Sequence, residues 1–261
     1  MQIDFTGKVV VVTGAATGIG REIARRFKAE GATVIPLDVN HEGLRALAAD
    51  FPSEGWNDAG VVCDVRDTEA VQEVVDGIIA AHGRIDVLIN NAGVNAVGLV
   101  EDLDRDVWDR CFDINVRGVF NTCKAVAPAM KKQNYGRIIN AASFAAIMPS
   151  IGASAYAASK AAVVQFSRTL AGELGPWGIT VNSYAPGMIP TAMNGLADLP
   201  EGEQSKRLDM LTVRRWGETD DIADLLCFLA SDFAGYITGT LTDVSGGKFS
   251  TQAPSRAYNE R

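Results

Sequence analysis

Residues 8–13 (KVVVVT) form an unbroken apolar run, the pattern of a strand covered on both faces. Short runs of the same kind recur at 32–37, 60–63, 85–89, 136–142, 179–184 and 239–244. Between them the apolar spacing changes to threes and fours, the period of an amphipathic helix. Residues 21–30 follow that period and close at Gly31, and residues 68–81 place Val71, Val74, Val75, Ile78 and Ile79 on one stripe. Residues 219–230 repeat the pattern, and helices are also predicted over 42–50, 103–114, 116–131 and 156–174. Residues 51–57 read as a loop, and Asn115 falls at a junction between two helices. Strand and helix alternate throughout, which predicts right-handed βαβ units. The fold class is therefore α/β: a doubly wound parallel sheet of seven strands with helices on both faces.

One stretch breaks the pattern. Residues 188–213 are polar, sparse in apolar periodicity and punctuated by Pro190, Gly195, Pro200 and Gly202. They read as a mobile lid over a substrate site. Residues 251–261 read as a loose tail. No repeat, linker or shift in composition divides residues 1–261, so one domain is expected.

Composition narrows the function. The chain has 261 residues, 47% apolar and 21% charged, enough for one large core. Its net charge of -8 argues against a nucleic-acid or anionic-membrane surface. No apolar stretch nears the roughly 18 residues of a spanning helix, and MQIDFTGK has no apolar signal core. Cys63, Cys111, Cys123 and Cys227 are scattered, as buried thiols in a reducing cytoplasm would be. With only His41 and His82, both in polar helical stretches, neither a His-rich metal site nor a Ser-His-Asp triad is expected.

The chemistry-bearing residues follow the strands. After residues 8–13 comes Gly14-x-x-x-Gly18-Ile19-Gly20, leading into a helix. There Gly14 permits a turn, Gly18 lets a pyrophosphate approach, Gly20 allows close packing, and the helix N-terminus takes the phosphates. Asp38 ends the second strand, 18 residues past Gly20, where a carboxylate suits two ribose hydroxyls; a turn or helix-capping aspartate would occupy the same place. Asp64, after the third strand, would suit an adenine amino group or a loop cap equally. Tyr156 and Lys160 stand four apart in a Gly- and Pro-free helical run, so they share a face. An ammonium beside a phenol is expected to lower the tyrosine pKa toward working pH, making it an acid or base for an alcohol oxygen. An incidental pair on a surface helix would look the same. Ser143, at the end of the fifth strand, could hold that oxygen.

Taken together, Thr13-Gly14-x-x-x-Gly18-Ile19-Gly20, Asn90-Asn91-Ala92-Gly93, Asn115, Ser143, Tyr156-x-x-x-Lys160 and Pro186-Gly187 resemble the short-chain dehydrogenase/reductase family, in order from about residue 6 to 247. The resemblance implies a Rossmann-type single domain, a homotetramer, and oxidation of alcohols or reduction of ketones with NAD(P). It implies Tyr156 as general acid/base and Lys160 as the residue that lowers its pKa and bonds the nicotinamide ribose. Ser143 would hold the substrate oxygen and Asn115 would anchor a relay water. Thr17, Val39, Val65, Asn91, Ala92 and Gly93 would lie along the cofactor. Ile189 and Thr191 would meet its carboxamide after Pro186-Gly187.

NADP-using members commonly carry Arg or Lys in the glycine loop or after the second strand. Here Ala15, Ala16, Thr17, Val39 and Asn40 stand there, and with Asp38 the pattern resembles the NAD-preferring kind. Arg21, the nearest basic residue, is expected to face away. The leading function is an NAD-dependent dehydrogenase of a sugar, polyol or related secondary alcohol. The alternative is a 3-oxoacyl-carrier-protein reductase, a group that mostly uses NADPH, and a non-catalytic dinucleotide sensor comes last. Substrate contacts are expected from Asn95, Ser143, Phe144, Tyr156, Gly187, Met188 and Met193.

Overall fold

A computed structural model describes residues 3–50 and 60–259. The loop expected at 51–57 lies outside the described residues. The elements are β1 (Val9–Thr13), α1 (Gly18–Ala29), β2 (Thr33–Asp38), α2 (His41–Ala48), β3 (Val61–Val62), α3 (Thr68–His82) and β4 (Val87–Asn90). They continue with α4 (Arg105–Phe112), α5 (Gly118–Gln133), β5 (Gly136–Ala141), α6 (Ser154–Leu174), β6 (Ile179–Pro186), α7 (Glu201–Leu208), α8 (Thr219–Ala230), β7 (Leu241–Val244) and α9 (Arg256–Asn259).

The seven strands form one parallel sheet in the order β3-β2-β1-β4-β5-β6-β7. Chain direction across the sheet reverses between β1 and β4, which opens a crevice at their C-terminal ends. Both faces are covered, as the unbroken apolar runs require. Val10, Val12, Val87 and Ile89 face one core with Ile23 and Phe27 of α1 and Ile222 and Leu226 of α8. Val9, Val11, Leu88 and Ile138 face the other, with Val75 and Ile78 of α3, Val126 and Met130 of α5, and Val163 of α6. Alternation along β1 thus divides its valines between two cores. All four cysteines are buried and free. No described helix is long and apolar enough to cross a membrane.

Three differences from the sequence expectation bear on function. α1 begins at Gly18, inside the glycine cluster rather than after it. The helix junction at Asn115 is a π-turn, Asp113–Arg117, which joins α4 to α5. The segment 188–213 contains a regular helix, α7, and a small apolar cluster of its own: Met188, Leu196 and Leu211 with Leu199, Leu208 and Trp216. Its apolar residues pack on one another across turns, so they leave no helical stripe to read. The tail reaches back to the end of the segment 188–213. The Tyr258 hydroxyl donates to the Thr212 carbonyl at 2.8 Å, and Pro254 is buried.

Candidate active site

The strand ends and the segment 188–213 enclose a cavity of about 830 Å³. Gly14, Thr17, Gly18, Ile19, Asp38, Val39, Asp64, Val65, Asn91, Ala92 and Gly93 line one end. Asn95, Ser143, Phe144, Tyr156, Lys160, Pro186, Gly187, Met188, Ile189, Thr191 and Met193 line the rest. Gly20 and Asn115, also singled out from sequence, are buried behind the wall.

The glycine end is built to accept an anion. Gly14 and Gly18 sit at φ +66° and +55°, where a side chain is strained. Gly20 is needed for space instead, since a Cβ there would stand 2.0 Å from the Gly14 carbonyl oxygen. α2, α3 and α4 have their first turns capped by Asn40, Asp67 and Asp104, whereas Thr17 makes no such bond to α1 and no acid stands in its first turn. Side chains therefore leave the backbone donors at the start of α1 to face the cavity. Thr191 closes the opposite side, its methyl 3.5 Å from where a Gly18 Cβ would be.

Asp38 holds the loop as well as lining it. Its carboxylate accepts from the backbone N–H of Ala16 and of Asn40, both at 2.9 Å. A carboxylate has about four acceptor sites, so capacity remains for ligand hydroxyls. Arg21 does turn away, donating to Asp50 at 3.0 Å. Arg66, which the sequence did not single out, lines the cavity but is fixed on Asp64 at 2.6 and 3.0 Å. That contact holds the Asp64 carboxyl below its usual range. The Asn91 side chain is spent on protein contacts: it donates to the Gly14 carbonyl and accepts from the Tyr184 hydroxyl, both at 3.1 Å.

At the other end, Ser143 is buried and caps the turn that follows β5, its Oγ accepting from the Ala145 N–H at 3.2 Å. Tyr156 lies in the first turn of α6 and Lys160 one turn further, on the same face. The lysine Nζ donates to the Ala141 carbonyl at 2.8 Å and lies 5.8 Å from the Tyr156 ring centre. This corrects the expected pKa. Burial pushes the Tyr156 phenol up, against the opposing pull of a Ser143 hydrogen bond. Burial also brings Lys160 down to about 8. With its ammonium bonded to backbone rather than to the phenol, the lysine does not bring the tyrosine down in the protein alone.

Asn115 uses its side chain structurally. Its Oδ1 accepts from the Val94 N–H at 2.8 Å, and its Nδ2 donates to the Val94 carbonyl and to Ser159 Oγ, both at 3.0 Å. Ser159 in turn donates to the Tyr156 carbonyl at 2.7 Å. The π-turn is thereby tied to the first turn of α6. Gly93 completes the contact, since a Cβ there would meet Asn115 Oδ1 at 3.2 Å and Lys160 Nζ at 3.3 Å.

Sequence reasoning named Asn90 as part of a motif but missed its role, and it missed Asn140 and Ser167, which help position α6. Asn90 donates to Asn140 Oδ1 at 2.8 Å, and Asn140 donates to Ser167 Oγ at 2.8 Å. This buried chain pins α6 to β4 and β5. Its signal was present, an asparagine just after one apolar run and another inside the next. It also missed Arg110, Arg207 and Lys248, which line the cavity from distant parts of the chain.

The geometry has counterparts among known proteins. The family model for short chain dehydrogenases matches residues 8–201. A 3-oxoacyl-acyl-carrier-protein reductase of Thermotoga maritima is 39% identical over 241 residues, covering 92% of this chain and 97% of that one. A D-threitol dehydrogenase of Mycolicibacterium smegmatis is 39% identical over 252 residues, covering 95% and 96%. The crystal structure of levodione reductase superimposes with a TM-score of 0.89 at 35% identity, covering 95% and 100%.

Proposed function

The chain belongs to the short-chain dehydrogenase family, oxidoreductases of alcohols and ketones that use nicotinamide dinucleotides, and from that premise we propose that it is an NAD-preferring dehydrogenase of a secondary alcohol. A sugar, polyol or related hydroxy compound is the leading substrate class. The observation that carries the reading is the sharing of one cavity. An uncapped helix start and Asp38 lie at one end, with Ser143, Tyr156 and Lys160 further along. A nicotinamide dinucleotide bound there would supply the hydride acceptor or donor. Ser143 holds the substrate oxygen. Tyr156 takes its proton in oxidation and returns it in reduction. Lys160 supports the phenolate by charge and holds the ribose. Asn115 positions Val94 and α6, and its expected relay water belongs to the same reading.

Residues 188–213 act as the substrate lid. They are tethered at their ends, where Gly217 N–H meets the Met188 carbonyl at 3.0 Å and Val213 N–H meets the Gly246 carbonyl at 2.9 Å. Their apolar cluster is separate from the two main cores. The active form is a homotetramer, for which exposed Val107, Trp108 and Phe120 offer apolar contact surface. A ketone reductase for 3-oxoacyl thioesters is the second reading, favoured by the similarity to the Thermotoga maritima protein. A panel of sugars, polyols, hydroxy acids, cyclic alcohols and 3-oxoacyl thioesters, assayed with NAD(H) and NADP(H), decides between them. Thioester turnover that exceeds every alcohol and favours NADPH would reverse the order.

A further inference from the structure

Charge in the cavity wall is unevenly placed. Asp38 and Asp64 are the carboxylates that line it, and both belong to the glycine end. The substrate end has Arg110, Arg207 and Lys248 and, among the described residues, no lining carboxylate, in a chain whose net charge is -8. Neighbouring cations are paired. Lys206 contacts Glu203 at 2.7 Å, Arg214 contacts Asp209 at 2.7 Å, and Arg215 forks onto Asp221 at 2.7 and 2.8 Å.

Arg207 and Lys248 are different. Neither forms an ion pair among the described residues. Arg207 projects from α7 with its Nε buried and without a hydrogen-bond partner. Lys248 Nζ lies 4.8 Å above the Phe144 ring, the residue next to Ser143. The two cations feel each other: burial and the Arg207 charge both bring the Lys248 ammonium down. Like charges gathered in a half-buried wall cost free energy that a bound anion would return. A guanidinium fork with an orphaned N–H suits carboxylate or phosphate oxygens.

We propose that the substrate carries a carboxylate or phosphate group held by Arg207 and Lys248, and that this pair selects anionic hydroxy or keto compounds over neutral ones. The inference rests on the active-site reading above and refines its substrate class. Lys248 reaches the wall beside Ser143, so the anionic group lies a short carbon chain from the reacting oxygen. Arg207 lies on the lid, so anion binding also draws α7 toward the site.

Two matched pairs test this: acetoacetate against 4-hydroxybutan-2-one, and dihydroxyacetone phosphate against dihydroxyacetone. Each is assayed for kcat/KM with NADH and with NADPH. The anionic member is expected to be favoured by about tenfold or more in at least one pair, and the better pair tells carboxylate from phosphate. In Arg207→Gln/Lys248→Gln that ratio is expected to fall about tenfold, and in wild type to shrink with added salt. A ratio near one in both pairs, or one unmoved in the double variant, overturns the proposal. If the double variant fails to fold, Lys248→Gln alone is read by the same ratio. If none of the four compounds turns over, the wider panel above judges the dehydrogenase reading, which fails if nothing in that panel turns over either. Calorimetric titration of acetoacetate and dihydroxyacetone phosphate into wild type and variant then decides the anion site, and equal binding by the two proteins overturns it.

Discussion

Replacing Asp38 tests the cofactor assignment. The carboxylate lines the glycine end of the cavity and already accepts from Ala16 and Asn40 at 2.9 Å. A 2′-phosphate beside it would place like charges about 4 Å apart, a repulsion of roughly 4 kcal/mol per unit pair at an effective dielectric near 20. Salt and the open edge of the site reduce this by about half, leaving roughly 2 kcal/mol, or about thirtyfold in relative affinity. Among the described residues no nearby cation is free to offset it, because Arg21 is bound to Asp50 and Arg66 to Asp64. Loss of ribose hydrogen bonds to a charged acceptor adds about another tenfold against NAD. Asp38→Ser is therefore expected to shift the NAD/NADP ratio of kcat/KM by about a hundredfold or more. Asp38→Asn keeps an acceptor for Ala16 while removing the charge, and so isolates the repulsion. Both cofactors are assayed with wild type and variants at one pH and salt. A wild type that favours NADP, or a ratio unmoved in both variants, refutes the reasoning.

Other outcomes follow from the same site. Burial raises the Tyr156 pKa, so the phenol predominates at neutral pH and the phenolate fraction grows with pH. Oxidation should therefore accelerate with rising pH until Lys160 loses its charge near 8, while reduction stays level through neutrality and declines only as Lys160 loses its charge; pH profiles in both directions check this, and an oxidation rate that falls from pH 6 to 8 contradicts it. Lys160→Ala should lower kcat and weaken cofactor binding together, and an effect on only one shows its double role to be incomplete. Hydrogen exchange should show 188–213 becoming protected when NAD and product are added. Equal, strong protection in both states would remove the lid.

How much of this was legible in the sequence depends on the range of the interaction. Continuous valines in β1 and the stripe on α3 are local patterns, and they placed both elements to within about a residue. Tyr156 and Lys160 share a face because the helix period dictates it. The start of α1 at Gly18 was not legible, because glycine-rich sequence reads as loop until the cavity gives its N–H groups a purpose. The Tyr156 pKa was misjudged for a related reason. Spacing showed the lysine near the phenol but not that the Ala141 carbonyl, nineteen residues away, binds the ammonium. Arg207 and Lys248 are separated in sequence by the whole of α8 and β7, and only folding brings them to one wall. α7 shows no clear helical period in the sequence because its apolar partners lie in other turns of the same segment.

The central claim is that Tyr156 moves the substrate proton in a site that also binds the dinucleotide. Tyr156→Phe removes one oxygen and keeps the ring that packs beside Cys111, Ala96 and Ala155. The most direct measurement compares wild type and this variant for single-turnover reduction of NAD by a substrate alcohol and for NADH binding by fluorescence titration. Hydride transfer is expected to fall by about 10²–10⁴-fold with NADH affinity essentially retained. Wild-type turnover in the variant would contradict the account, as would a loss of NADH binding large enough to explain the lost rate.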